Sequence, residues 1–138
     1  MDNQEKIAWL KRYTYLDREI SRKVVELGTW RNRLLNPNMT ARPKEVVVQG
    51  GQTADPTQIV DRLVDLEAEI NAEITQLIEI KRDIERAVDT VEDHRLQLLL
   101  RYRYLDGMTW EHVAVAMDVT WQHIHKLHVL ALKNLKMR

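Results

Sequence analysis

The chain has 138 residues, with no cysteine, no phenylalanine, four glycines and three prolines. Disulfides and thiolate metal sites are thereby excluded, and so few backbone breakers imply a mostly helical protein with enough length to bury a core. The formal charge of zero hides an uneven spread: residues 1–54 hold 10 Lys/Arg against 6 Asp/Glu, residues 55–94 hold 4 against 12, and residues 95–138 hold 7 against 3. Such asymmetry fits contact with nucleic acid by one part of the chain only. No apolar run approaches the roughly 20 residues of a membrane span. The opening Met1-Asp2-Asn3-Gln4-Glu5 is too polar for a signal peptide. A cytoplasmic protein without membrane contact is expected.

The first element is a helix over residues 3–35. Trp9, Tyr13, Leu16, Ile20, Leu27, Trp30 and Leu34 recur in steps of three and four, with Lys23 breaking the series. Gly28 weakens its end, and Asn36-Pro37-Asn38 stops it. Residues 36–55 read as a loop: Pro37 and Pro43 forbid helix, Gly50-Gly51 loosens the chain, and Val46-Val47-Val48 would either pair as a short strand or pack on a neighbour. The second helix spans residues 56–89. Asp55 is its cap, Pro56 takes the first helical position, and Gln58 completes a capping box. Ile59, Leu63, Leu66, Ile70, Leu77, Ile80 and Ile84 form a heptad seam, interrupted at Glu73. Two long helices, one basic and one acidic, joined by a loop should fold into an antiparallel hairpin. A seam of this length also suits pairing between chains, so a homodimer is expected.

Residues 90–104 read as a third helix, capped at Thr90 or continuous with the second. Its Leu96, Leu99, Leu100 and Tyr104 make a floor on which the last two helices pack. After the turn at Asp106-Gly107-Met108, Thr109 has the chemistry of an N-cap, and Val113 and Met117 share a buried face one turn apart. Ala114 sits where two crossing helices come closest. Asp118 falls where the turn asks for a left-handed backbone, which Asp tolerates better than most types. Thr120 caps a final helix held on the core by Ile124, Leu127, Ala131 and Leu135. Facing outward at its start are Trp121, Gln122, His123, His125 and Lys126, the positions that enter the major groove in a helix-turn-helix.

Gly107-x-Thr109-x-Glu111-x-Val113-Ala114, Asp118-Val119-Thr120-x-x-x-Ile124 and Ala131-Leu132-x-x-Leu135-Lys136 succeed one another without a gap. This stretch resembles the DNA-binding fourth region of bacterial sigma factors. With the helix that contains Asp65-Leu66-Glu67-x-Glu69-Ile70, the whole resembles phage transcriptional regulators of the RinA/ArpU type. The resemblance implies an all-α fold. Residues 1–89 would form the hairpin, for oligomerisation or partner binding, and residues 90–138 a sigma-like helix-turn-helix. It also implies a phage-encoded regulator in a bacterial host, an activator of late genes that binds double-stranded DNA, with host RNA polymerase as a further partner.

In sigma-like modules the residues just after the cap read base edges. Gln122 suits a bidentate pair with adenine, worth roughly 1–3 kcal/mol of discrimination. Trp121 offers a single donor and suits a thymine methyl or a sugar. His125 stands where many sigma modules carry arginine. Thr109 and the amides after it are candidate phosphate ligands, and Arg101, Arg103, Lys133 and Lys136 are further ones, with a plain solvated surface as the alternative. Imidazoles beside phosphate would make DNA affinity pH-sensitive. His125 and His128 lie one turn apart, but nothing in the sequence completes a zinc site, so no metal or cofactor is expected. No phosphate-cradling loop, His-Glu-x-x-His or nucleophile turn is present, and catalysis is not expected. The rival readings are a DNA-packaging protein like a phage small terminase subunit, and a polymerase-binding protein that never reads DNA.

Overall fold

A computed structural model describes residues 1–36 and 55–137. Pro37, Pro43, Val46-Val47-Val48 and Gly50-Gly51, and with them the expectations for the loop, lie outside the described residues. Those described form five helices and no strand: α1 Asn3–Leu35, α2 Pro56–Asp89, α3 His94–Tyr104, α4 Trp110–Ala116 and α5 Trp121–Asn134. The fold is all-α, as the scarcity of breakers requires. Asp55 does cap α2, accepting from Thr57 N at 3.1 Å. The reciprocal Gln58 bond of a capping box is absent among the described residues.

Two compact units share the chain. One comprises residues 1–17 and 76–138, the other residues 18–75. In the second unit α1 and α2 run antiparallel: as α1 advances from Lys23 to Arg31, the partners on α2 step back from Glu73 to Glu67. Ile20, Ile59, Leu63, Leu66 and Ile70 are buried along this hairpin. The two positions that interrupt the apolar series, Lys23 and Glu73, meet each other in a close ion pair, with Glu69 at 3.7 Å from the same ammonium. The Glu73 bond holds Lys23 above its ordinary pKa, against the opposing pull of burial. Two breaks in two seams are thus one structural feature. A single polar pair of this kind favours one register of the helices, because any slip would leave a charge facing leucine.

The first unit is built on a continuous apolar core in which Leu10, Ile84, Val88, Val91, Leu96, Leu99, Leu100, Val113, Ile124 and Leu132 are all at most 1 % exposed. Lys6 near the start of α1 donates to the carbonyls of Leu132 (2.6 Å) and Leu135 (3.1 Å). Leu132 O also accepts from Leu135 N at 3.3 Å, and an ammonium at this helix end suits the negative end of the helix dipole.

The break between α2 and α3 is real, and its cap is Asp93, not Thr90. Asp93 has extended backbone angles and accepts from Arg95 N at 2.9 Å. Thr90 instead donates to Ala87 O (2.6 Å) and accepts from Lys136 N (3.0 Å), tying the end of α2 to the chain beyond α5.

Candidate nucleic-acid interface

Three short helices, α3, α4 and α5, pack on one another. Thr109 and Thr120 both stand in extended conformation and cap the helices behind them, accepting from His112 N (3.3 Å) and His123 N (3.1 Å). Between α4 and the Thr120 cap the chain turns in three residues, 117–119. Asp118 takes φ +55°, Asp118 N donates to Val115 O (3.1 Å), and Val119 N donates to Ala114 O (3.0 Å). The left-handed angle costs an L-residue roughly 1 kcal/mol and glycine nothing. Asp118→Gly should therefore raise stability in urea titration by up to about 0.5 kcal/mol once glycine's extra chain entropy is set against the relieved strain. Asp118→Val should lower it by more than about 1 kcal/mol. Ala114 is buried and Val115 beside it is 79 % exposed, so the inward and outward sides of α4 are sharply divided.

The first helical residues of α5 point in different directions. Gln122 and Lys126 share one exposed face with Val129 and Lys133, at steps of three and four. His123 is exposed on the neighbouring flank, beside the hollow formed by Val115, Asp118 and Thr120. Trp121 is 56 % exposed but is not free: its ring meets His125 edge-on at 4.2 Å. His125 is half-buried between Trp121 and Trp110, whose ring lies 5.3 Å away, and its Nε2 is shielded and without a partner. Trp110 in turn contacts His128 at 4.4 Å, and His128 Nε2 is hydrogen-bonded to Tyr104 Oη at 2.7 Å. A stack of five rings therefore runs from the outer surface of α5 to the floor on α3.

The predicted phosphate ligands divide likewise. Arg103 lies over the Trp110 ring at 4.8 Å and donates to Met108 O at 3.0 Å, closing the turn that Gly107 makes with φ +70°. Arg101 is engaged with Asp89 (2.7 Å) and Gln97 (3.3 Å). Lys133 and Lys136 are exposed near the C-terminal end of α5, while Thr120, Gln122, His123 and Lys126 cluster at its start. Among the described residues no three His, Asp or Glu side chains come together as metal ligands do.

Trp110 and His128 were not among the residues expected at the site. His128 had a legible signal, lying one turn after Ile124 and three residues before Ala131, on the side of α5 that must be inward. Burial, with smaller contributions from the nearby Arg103, His125 and Lys11, pushes its pKa down to about 4. Burial pushes Tyr104 up to about 12, against a small opposing effect of Arg103. Both are thus neutral at pH 7. A histidine with a depressed pKa binds fewer protons folded than unfolded, so below its unfolded value of about 6.5 acid favours unfolding. Urea titrations should show about 2 kcal/mol of stability lost between roughly pH 7 and pH 4.5, levelling below about pH 4. In His128→Gln the loss across this window should be much smaller.

What these features define is an all-helical protein whose C-terminal helices have an arrangement compatible with a helix-turn-helix. Its residues 33–136 match the model of a family described as "Protein of unknown function (DUF1492)", and the chain belongs to that family. No curated protein and no solved structure matches it. No helix among the described residues is long and apolar enough to cross a membrane.

Proposed function

We propose that the chain is a phage-encoded, sequence-specific DNA-binding regulator of transcription, of the RinA/ArpU type, in which α4 and α5 act as a sigma-like helix-turn-helix. The observation that carries this reading is the exposed start of α5. A tight turn through Asp118 and a Thr120 cap present Gln122, His123 and Lys126 on a helix end, with no acidic residue in its first turn. Polar side chains on the first two turns of a second helix are what a major groove receives, and the helix N-terminus favours the phosphates beside it. Gln122 is the base reader in this reading. Lys126 and Lys133 supply charge along the same face. His125 and Trp121 shape the flank, since both are held in the ring stack. Activation of late genes through host RNA polymerase comes with the same resemblance.

The test is selection of bound sequences from a random duplex library at fixed, stated salt. The wild type should enrich one sequence. Gln122→Ala should lose preference at one base pair by about 2 kcal/mol. Lys126→Ala should weaken all sequences alike and lower the slope of log affinity against log salt by about 1. If no sequence is enriched and both variants bind as the wild type does, the reading fails, and α5 is a surface for protein contacts.

A further inference from the structure

The hairpin of residues 18–75 has two unlike sides. On one, Glu26 and Arg62 pair at 2.6 Å among other charged side chains such as Arg22 and Glu69. The other carries Val24 and Leu35 from α1 with Val60, Val64 and Ile74 from α2, which are 49, 74, 43, 60 and 39 % exposed. On α2 these positions continue through Glu67 and Asn71, giving 60, 64, 67, 71, 74, a heptad series that lies beside the buried Ile59–Leu63–Leu66–Ile70 seam and is separate from it. At the centre of this side Arg31 bonds Glu67 at 2.7 Å, and exposed Gly28 has open space where a side chain would stand.

We propose that this side is the interface with a second copy of the chain, closing a four-helix bundle. The seam expected to join two chains is already used within one; the outer series is left for the partner. Three features select a second copy over another occupant. The side carries one cation and one anion at a single level, so it is complementary to itself under a two-fold axis. With that axis parallel to the helices, α1 lies antiparallel on the partner's α2 in the register α1 already holds with its own α2. Arg31 then faces the partner's Glu67. Seven residues back on α1, Val24 faces the partner's Ile74, and Leu35 comes level with the partner's Val64. The basic first helix and acidic second helix repeat between chains the pairing they make within one. A membrane surface fits poorly: the side has five aliphatic residues, no aromatic one, and the most acidic helix of the chain.

The outer series on α2 is about 21 Å long from Val60 to Ile74, so the shared surface is small beside the roughly 800 Å² each partner brings to a stable complex. Association in the micromolar range is the expected result. Dimerisation is independent of the DNA reading, and its test contains no DNA. In sedimentation equilibrium of the full chain, from low to high micromolar, the mass should rise from 16.4 kDa to twice that. Val64→Lys/Ile74→Lys should stay monomeric with its helical circular dichroism intact. Arg31→Glu and Glu67→Arg should each dimerise at least about tenfold more weakly, since each self-pair meets like charge. Mixed together they should form a one-to-one dimer, because each then finds its opposite in the partner; a mixture that stays as weak as its parts refutes the arrangement. A wild type that is monomeric throughout, a ring of many subunits, or a dimer indifferent to Val64→Lys/Ile74→Lys overturns the proposal.

Discussion

Ile124→Ala should lower the unfolding free energy by about 3 kcal/mol, with a fall of roughly 10 °C in melting temperature. Ile124 is fully buried, four residues after the Thr120 cap, and anchors the first turns of α5 in the core shared by α3 and α4. Removing its outer carbons leaves a cavity in a region where Leu99, Leu100, Val113 and Leu132 are themselves packed at 0–1 % exposure. Such neighbours have little freedom to collapse into the space, so the cost should lie well inside the range for buried aliphatics. Val129→Ala is the control. It lies on the same helix but is 55 % exposed, and its change should stay within about 0.5 kcal/mol. Equal losses from the two substitutions in urea titration would mean that α5 is not seated as described.

Trp110→Ala should cost about 3 kcal/mol and, unlike Ile124→Ala, should change the chemistry of its neighbours. The indole lies between His128 at 4.4 Å and His125 at 5.3 Å and carries the Arg103 guanidinium at 4.8 Å on its face. Without it, water reaches His128, and the burial that holds its pKa at about 4 is relieved. Proton NMR titration should then find His128 moved up toward the ordinary value of about 6.5. The acid-linked loss of stability should shrink with it, because the folded and unfolded states would bind protons alike. A Trp110→Ala protein in which the His128 pKa stays where it is in the wild type would show that the ring stack is not what shields the imidazole.

These effects separate what was readable in the chain from what packing added. The spans of α1 and α2, the Asp55, Thr109 and Thr120 caps, and the left-handed turn at Asp118 are local matters. Each depends on side chains within four residues of the backbone groups they satisfy, so the linear sequence by itself determined them. The inward set on α5 was legible for the same reason, since Ile124, Leu127, Ala131 and Leu135 share a face by spacing alone. The start of α3 lies at His94 and not at residue 90, because Thr90 and Asp93 both have capping chemistry, and only the path of the chain shows that Thr90 is taken up by Ala87 and Lys136.

Tertiary structure alone decided the rest. Lys23 and Glu73 each read as a flaw in a seam until the hairpin brought residues fifty apart into one ion pair. Lys6 reaches carbonyls of α5 from the other end of the chain, a bond with no local trace. Arg101 and Arg103, plausible phosphate ligands by charge, are engaged by Asp89 and by the Trp110 face. His125 and Trp121, read by spacing as base-contacting residues, lie in a ring stack that packing with α4 created. Helical periodicity states which side of a helix a residue occupies, but not what fills the space beside it. That depends on partners distant in sequence, and in this protein they determine which polar residues at the start of α5 remain exposed.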